Sequence, residues 1–266
     1  MTPETLSLVD KVAIITGSGR ENGIGAGIAE ALARNGASVT INYVSDSTGP
    51  QATHLVEALR SKYRVPVVAI QADVTTTDGA SQLVTGTLKA FSVDHIDILV
   101  NNAGRGIPVS TLNASDEEIH TTFAINVFGP IYMVRAVMPH IPPGGRIVNV
   151  SSVYSKISHK NLPLYNSSKA ACDSLTYTWA AEFGRSHGIT VNTVAPGPVD
   201  TDLLRHYCRN NPDKGQPIDD LVKMTRAGER FGRIEDVADA VLLLVQEKSR
   251  WITGQYIDVG GGIVVD

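Results

Sequence analysis

The chain has 266 residues, of which 42% are hydrophobic and 19% are charged, and its formal net charge at pH 7 is -4. This length allows one large domain or two small ones, and this composition is ordinary for a soluble globular protein. The slightly acidic balance and the lack of a basic run argue against partners such as nucleic acid or an anionic membrane.

Short β-branched runs alternate with longer amphipathic runs along the chain. In chain order, the predicted strands cover residues 11–16, 37–43, 65–71, 95–100, 145–152, 188–195 and 255–259. The predicted helices cover about 23–36, 49–62, 78–91, 115–138, 163–184 and 235–246. Such alternation favours a parallel sheet that is covered on both faces. We therefore predict an α/β fold, a single doubly wound Rossmann domain over residues 1–266 with a seven-stranded parallel sheet.

The first residues and the cysteines indicate where in the cell the protein is found. The first residues include an acid, and the apolar run Val12–Ile15 is too short for a signal peptide or a membrane span. Two cysteines, Cys172 and Cys208, do not make a disulfide framework. We expect a cytoplasmic protein without a membrane partner. The seven histidines show no ligand-like spacing, so we predict no metal site.

A glycine-rich turn connects the first strand to the first helix. Glycines let a backbone turn tightly and approach a pyrophosphate, and the helix N-terminus supplies amide donors. A flexible strand–helix connection is the alternative, but the position after the first strand favours a dinucleotide site. The predicted contacts in this turn are Gly17, Ser18, Arg20, Gly23, Ile24 and Gly25.

The end of the second strand indicates which dinucleotide binds. NAD-binding folds often place an acid there for the ribose hydroxyls. Here the strand ends at Tyr43 and Ser45 follows without an acid at the tip, while Asp46 lies slightly beyond, in the loop. With Arg20 in the glycine turn, this pattern favours NADP(H), although Arg20 is also explained as a solvated loop residue.

Tyr165 and Lys169 are spaced to share one face of a helix. A neighbouring ammonium favours the phenolate form of a tyrosine, which suits general acid–base chemistry. On spacing alone, however, two exposed side chains are the better interpretation. Ser152, at the end of the fifth strand, adds a hydroxyl that can donate to a substrate carbonyl. Asn126, inside a predicted helix, indicates either a buried polar network or a satisfied core amide.

These motifs together resemble the short-chain dehydrogenase/reductase family over about residues 9 to 262. The resemblance implies that Asn126, Ser152, Tyr165 and Lys169 form the catalytic tetrad. It also implies that Asp73 holds the adenine, that Asn101 and Gly104 line the cofactor cleft, and that Lys169 contacts the nicotinamide ribose. Further cofactor contacts implied by the matching motifs are Tyr43, Ser45, Val74, Ala103, Tyr165, Pro196, Gly197, Val199 and Thr201.

The glycine turn departs from the family pattern. The family has three residues between its first two glycines, whereas five separate Gly17 from Gly23. Arg20 still aligns with the basic position of NADP-preferring members, so Glu21 and Asn22 are interpreted as an insertion. This leaves open which amides contact phosphate.

A polar stretch over residues 202–230 follows the sixth strand, and the resemblance implies a lid over the substrate. Within it His206, Tyr207 and Met224 are predicted either to face a substrate or to pack in a helix, while Tyr154 and His159 are expected to border the pocket. The helix that carries Tyr165 is apolar on more than one side, which favours a homo-oligomer, a tetramer or a dimer.

The leading functional hypothesis is NADPH-dependent reduction of a ketone, imine or enone, with Tyr165 as the general acid. The style of the motifs is closest to ketoreductases of secondary metabolism, which implies a small organic metabolite as substrate. A non-redox cyclase or isomerase with bound NADP(H) is the alternative. A cofactor sensor without catalysis ranks last, since it needs no tetrad.

Overall fold

The computed structural model describes residues 6–205 and 218–263. Within them, seven strands form one parallel sheet in the order β3-β2-β1-β4-β5-β6-β7. The strands are β1 (Val12–Ile15), β2 (Ser38–Tyr43), β3 (Val67–Gln71), β4 (Ile98–Asn101), β5 (Arg146–Val150), β6 (Thr190–Pro196) and β7 (Tyr256–Val259). The strand order reverses between β1 and β4, and a ligand crevice is expected at that point. The predicted doubly wound fold is confirmed.

Helices cover both faces of this sheet, and local signals fix several of their ends. Thr76 caps α3 by accepting a hydrogen bond from an amide of the first turn, and Ser115 forms a capping box with Glu118 at α4. Left-handed Gly188 terminates α6. The helices are α1 (Ile24–Arg34), α2 (Gly49–Tyr63), α3 (Thr77–Phe91), α4 (Asp116–Phe123), α5 (Gly129–Val137), α6 (Pro163–His187), α7 (Ile218–Met224) and α8 (Ile234–Leu244).

Two apolar clusters fill the spaces above and below the sheet. One packs α1, α2 and α8 on the sheet and includes Ile28 and Val241, and the other packs α3, α5 and α6 and includes Leu83 and Met133. All residues of β1, β4, β5 and β6 are buried. This burial on both faces explains why these strands are mostly apolar, and it makes the sheet a rigid platform for the loops at its edge.

One helical stretch passes a composition test for a membrane span. Asp116–His140 is long and apolar enough, but the core helix of a soluble protein passes the same test. Here Met133, Val134 and Val137 are buried in the second core cluster. The apolar character of this stretch is therefore explained by packing inside the fold.

Several boundaries differ from the predictions. The helix predicted over 115–138 is interrupted, because a π-helical turn, Ala124–Phe128, separates α4 from α5. Strand β5 ends at Val150, so Ser152 lies two residues beyond the strand. Of the predicted lid over 202–230, residues 206–217, with His206, Tyr207 and Cys208, lie outside the described residues. The described part contains the short helix α7, which was not predicted.

Candidate active site

The glycine-rich turn after β1 is fixed against the neighbouring loops. Gly17 has a φ of +62°, and a Cβ there would lie 2.8 Å from Cα of Ala103, so a larger residue would be strained. Its amide donates to Oδ1 of Asn42 at 3.0 Å. Ser18 is buried, and its hydroxyl donates to the Ile15 carbonyl and accepts from the Asn42 amide. The Ser18 hydroxyl therefore braces the turn against β2.

Helix α1 begins with features that suit an anion. Its N-cap, Gly23, makes no side-chain cap, and the first turn, which starts at Ile24, contains no acid. A Cβ on Gly25 would lie 2.5 Å from Nδ2 of Asn102, so glycine allows the helix to start close to the loop after β4. Arg20 is exposed on the same turn. Amide donors, the helix dipole and a guanidinium thus meet at one end of α1.

The two inserted residues tie this turn to other elements. Oε1 of Glu21 lies 2.7 Å from Nδ1 of His54 on α2, and this contact raises the pKa of His54. Nδ2 of Asn22 donates to Oδ1 of Asp202 at 2.9 Å, and the Asp202 amide donates to the Asn22 carbonyl at 3.2 Å. Asp202 begins the predicted lid. The insertion therefore connects the glycine turn with the segment predicted to cover the substrate.

No acidic residue lies at the end of β2, where Tyr43 is followed by Val44 and Ser45. Half-buried Tyr43 packs against Gly19, where a Cβ would lie 2.7 Å from the Tyr43 Cβ. The Ser45 hydroxyl bonds to hydroxyls within its own turn. Oδ1 of Asp46 accepts from Nε2 of Gln71 at 2.7 Å, so this carboxylate is engaged with the end of β3. The strand itself therefore ends without an acid, and the carboxylate that follows it in the loop bonds to β3.

The loop after β3 passes close to the π-helical turn. Asp73 is exposed, and its Oδ1 accepts from the amide and the hydroxyl of Thr75 at 3.0 and 2.7 Å. Val74 is buried, and a Cβ on Gly129 would lie 3.4 Å from its carbonyl oxygen. Asp73 and Val74 therefore lie on the same edge of the sheet as the glycine turn.

The loop after β4 forms the other wall of the crevice. Asn101 is buried at the strand end. Oγ1 of Thr16 accepts from the amides of Asn102 and the next residue, both at 3.0 Å, and Nδ2 of Asn102 donates to the Thr16 carbonyl at 2.8 Å. A Cβ on Gly104 would lie 3.2 Å from Nζ of Lys169. This loop therefore contacts the glycine turn at one end and Lys169 at the other.

Asn126 lies in the π-helical turn and is 1% exposed. Its Oδ1 accepts from the Arg105 amide at 2.8 Å, and its Nδ2 donates to the Arg105 carbonyl and to Oγ of Ser168, each at 2.9 Å. The Ser168 hydroxyl in turn donates to the Tyr165 carbonyl at 2.8 Å. The amide of Asn126 thus fastens the loop after β4 to α6. π-turns occur frequently at functional sites.

Tyr165 and Lys169 lie one turn apart on α6. Lys169 is 4% exposed, and its Nζ donates to the Val150 carbonyl at 2.8 Å. The same Nζ lies 5.8 Å from the centroid of the Tyr165 ring. That ring is half-buried, and a Cβ on Gly106 would lie 3.4 Å from it. The small residue leaves room beside the phenol.

Ser152 lies in the turn between β5 and α6. Its Oγ accepts from the Tyr154 amide at 3.2 Å, so the hydroxyl proton is free to be donated elsewhere. The rings of Tyr154 and His159 make an edge contact with centroids 5.3 Å apart. Burial, and then the charge of Lys160, lowers the pKa of His159 and favours a neutral imidazole. Two uncharged rings thus lie next to the turn that carries Ser152.

The loop after β6 lies on the same edge. Pro196 ends β6, and a Cβ on Gly197 would lie 2.8 Å from Cα of a glycine that follows β7. Val199 pairs with Gly232 in an isolated bridge. Thr201 is buried, and its Oγ1 accepts from an amide of the following turn at 3.3 Å. The predicted residues of this loop therefore lie beside those of the β5 turn, because β6 adjoins β5.

Some residues at the site were not predicted from the sequence. The side chain of Asn42 lies inside an apolar strand run, and no spacing signal indicates its role. Gly106 has no motif context. Asp173 is 3% exposed and follows Lys169 by four residues. That i,i+4 spacing is the same signal that selected Lys169, and it was available in the sequence.

Known proteins share this architecture and these motifs. A family model described as enoyl-(acyl carrier protein) reductase matches residues 17–264. The chain is 36% identical to the short-chain dehydrogenase/reductase FrzI of a Cladobotryum species, covering 97% of each chain. It is also 36% identical to a hydroxynaphthalene reductase-like protein of Metarhizium brunneum, covering 97% of this chain and 96% of that one. The structure of a blue fluorescent protein from a metagenomic library in complex with NADPH has a TM-score of 0.87 and 34% identity, covering 97% of this chain and 100% of that one.

Proposed function

Since this chain belongs to the short-chain dehydrogenase/reductase family, we propose that it reduces a ketone, imine or enone of a small organic metabolite with NADPH. The observation that carries the proposal is one connected network at the crevice. Hydrogen bonds of Asn126 join the loop after β4 to α6, which holds the Lys169 ammonium beside the Tyr165 ring.

The crevice residues fit NADP(H). The N-terminus of α1, without an acid in its first turn, suits the pyrophosphate, and Arg20 suits the 2′-phosphate. The nearest carboxylate beyond the end of β2, that of Asp46, accepts a hydrogen bond from Gln71 at the end of β3. A similar solved structure contains NADPH. When bound, NADPH supplies the hydride; the remaining chemistry belongs to side chains of this chain.

Tyr165 is the general acid of the proposed reaction. Its phenolic proton passes to the substrate oxygen, and the Lys169 ammonium stabilises the phenolate that remains. The Ser152 hydroxyl donates a hydrogen bond to the same oxygen and orients it. Asn126 keeps the loop after β4, and with it Gly104 and Gly106, against Lys169 and Tyr165.

The substrate class and the setting follow from the surroundings of the site. The uncharged border formed by Tyr154 and neutral His159 suits a substrate without a net charge. The reductase-like relative in Metarhizium supports a small carbonyl compound of secondary metabolism as the substrate.

We further infer that the protein is a single domain, is cytoplasmic and forms a homo-oligomer. The exposed face of α6 that carries Tyr177 is available for a second subunit.

The proposal is tested by following the absorbance of reduced nicotinamide while the protein acts on a panel of ketones, imines and enones. We expect oxidation of NADPH by the wild-type protein and loss of turnover in Tyr165→Phe, with the dissociation constant for NADPH little changed. Tyr63→Phe is the matched control, because it removes a phenolic hydroxyl on α2 that bonds to Glu30 and to no residue of the proposed site. Turnover without an absorbance change would favour a non-redox enzyme, and retained reduction in Tyr165→Phe would refute the acid role.

A further inference from the structure

A row of polar side chains crosses the sheet beneath α6. Asn101 on β4, Asn149 on β5 and Thr193 on β6 are partners in the strand register. Residues in register point to the same face of a parallel sheet, and these three are at most 3% exposed. A polar group is costly to bury unless it is hydrogen-bonded, so this row needs an explanation.

Thr176 on α6 is the point where the row meets the helix. Nδ2 of Asn101 donates to Oδ1 of Asn149 at 2.8 Å, and Nδ2 of Asn149 donates to Oγ1 of Thr176 at 2.8 Å. Oγ1 of Thr193 lies 2.7 Å from the same oxygen of Thr176. Hydrogen bonds therefore connect β4 to β5 and both β5 and β6 to a single atom of the helix.

The hydroxyl of Thr176 uses all of its bonding capacity. It is 0% exposed, and it donates its one proton to the Cys172 carbonyl at 3.1 Å, within the helix. Its two lone pairs then accept from Asn149 and Thr193. These bonds are directional and allow one position of the helix relative to both strands, whereas hydrophobic contact is non-directional and tolerates sliding.

The two ends of the row reach parts of the proposed site. Asn101 ends β4, and the loop that contacts the glycine turn follows it. At the other end, Tyr256 on β7 is in register with Thr193, and its hydroxyl oxygen lies 3.4 Å from the Ser152 carbonyl oxygen. Thr176 therefore attaches α6 between the cofactor loop and the turn that carries Ser152.

The same helix carries the acid–base pair. Thr176 follows Lys169 by seven residues and Tyr165 by eleven, which is about two and three helical turns. Near the pair, α6 is attached to the end of β5 because Lys169 Nζ donates to the Val150 carbonyl and Ser151 Oγ donates to the Lys169 carbonyl. Thr176 adds a second attachment to β5, about 10 Å further along the helix axis. Two separated attachments fix both the position and the tilt of a helix, whereas one leaves it able to pivot.

We propose that Thr176 is a positioning residue of this active site, which acts through Asn149 to fix α6 on the sheet and so determines where Tyr165 and Lys169 lie. The proposal rests on the proposed function, in which Tyr165 gives up the proton and Lys169 stabilises what remains. The glycine turn follows β1, which the row does not reach. Loss of the Thr176 hydroxyl should therefore loosen the catalytic end of α6 and leave most of the cofactor site in place.

Four variants test the role of this hydroxyl. Thr176→Val removes it and keeps nearly the same side-chain shape, whereas Thr176→Ser retains it and tests for rescue. Thr178→Val is the matched control, because Thr178 lies on the same helix and also donates to a carbonyl four residues earlier, at 3.1 Å, but is exposed. If Thr176→Val does not fold, Thr176→Ala provides the variant without the hydroxyl.

The first measurement is the steady-state oxidation of NADPH with the best compound of the carbonyl panel, well below the Tm of each variant. In Thr176→Val we expect kcat to fall about tenfold, because reacting groups are displaced, and the NADPH dissociation constant and KM to change less than about threefold. Thr176→Ser should restore kcat to within about twofold, and Thr178→Val should match the wild type. A wild-type kcat in Thr176→Val overturns the proposal even if its Tm is lowered, because the hydroxyl would then only stabilise the fold.

The second measurement is amide hydrogen exchange of residues 163–172, the part of α6 that carries Tyr165 and Lys169, in the cofactor-free protein. We expect exchange about fivefold faster in Thr176→Val, because a lost attachment lowers the free energy of local opening. Amides of β1 report any general loss of stability, and the change at residues 163–172 is measured relative to them. Exchange in Thr178→Val should match the wild type. An unchanged rate at residues 163–172 in Thr176→Val overturns the proposal.

Hydrogen exchange needs no substrate, so it separates two failures. Faster exchange at residues 163–172 in Thr176→Val, without reduction of any compound by the wild type, supports the attachment of α6 through Thr176 and contradicts the proposed function. Reduction by the wild type, with kcat and exchange unchanged in Thr176→Val, supports the proposed function and contradicts the positioning role.

Discussion

Replacement of Asn126 by alanine tests whether one side chain holds the active-site loop. Asn126→Ala removes three hydrogen bonds, two to the backbone of Arg105 and one to Ser168. A buried group left without a partner costs about 1–3 kcal/mol. The Arg105 amide and carbonyl are partly buried, and Ser168 keeps its bond to the Tyr165 carbonyl. The expected loss of unfolding free energy is therefore about 3 kcal/mol.

For a chain of this size, such a loss lowers Tm by roughly 6–12 °C, which thermal unfolding followed by circular dichroism would measure. Turnover should fall as well, by about tenfold or more, because Gly104 and Gly106 flank Arg105 and lie against Lys169 and Tyr165. The assay is oxidation of NADPH with the best compound of the carbonyl panel, measured well below the Tm of the variant.

The matched control is Asn113→Ala, an exposed position whose side chain makes no hydrogen bond among the described residues. Its Tm should change by less than about 1 °C, as is usual for surface substitutions. An unchanged Tm in Asn126→Ala would mean that these hydrogen bonds do not hold the loop. A lowered Tm with wild-type turnover would mean that the loop is held but does not position the reacting groups.

Two further predictions concern the glycine turn. Arg20→Ala should weaken NADPH binding about 10–100-fold and NADH binding little, since a guanidinium–phosphate contact is charge-assisted; fluorescence titration measures both constants, and equal losses would remove the basis for the NADP(H) assignment. Asn22→Ala removes the side-chain bond to Asp202, keeps the backbone bond, and should raise KM for the carbonyl substrate several-fold while the NADPH dissociation constant changes less than about twofold. A change confined to NADPH binding would place the role of Asn22 in the turn alone.

The strands were predictable because the central ones are buried on both faces. Mostly apolar runs at β1, β4, β5 and β6 have few alternatives once helices alternate with them. The order of strands and the crevice between β1 and β4 then follow from the general rule for doubly wound sheets. The family resemblance, which rested on ordered motifs at the strand ends, is confirmed by relatives that match nearly the whole chain.

The local details of the site were less predictable, because hydrogen bonds between distant segments determine them. The π-helical turn at Ala124–Phe128 has an ordinary helical composition, and its distinguishing feature is a bond from Asn126 to a residue 21 positions earlier. The Ser18 hydroxyl is likewise bonded to the Ile15 carbonyl and the Asn42 amide, and the latter lies on another strand. Asp173 is a charged residue of a kind usually found at exposed helix positions, yet it is 3% exposed in the fold.

The loop after β4 contacts both the predicted cofactor residues and the predicted acid–base residues. At the start of this loop, two backbone amides donate hydrogen bonds to Oγ1 of Thr16, which fixes the loop to the glycine turn. A few residues later, Asn126 holds the backbone of Arg105, between the two glycines that face Lys169 and Tyr165. In the proposed function, this short loop therefore positions both a dinucleotide at the glycine turn and a proton donor on α6. Because reduction requires the hydride and the proton to reach adjacent atoms, a displacement of this loop would disturb both, and the defect in Asn126→Ala should appear in turnover more than in cofactor affinity.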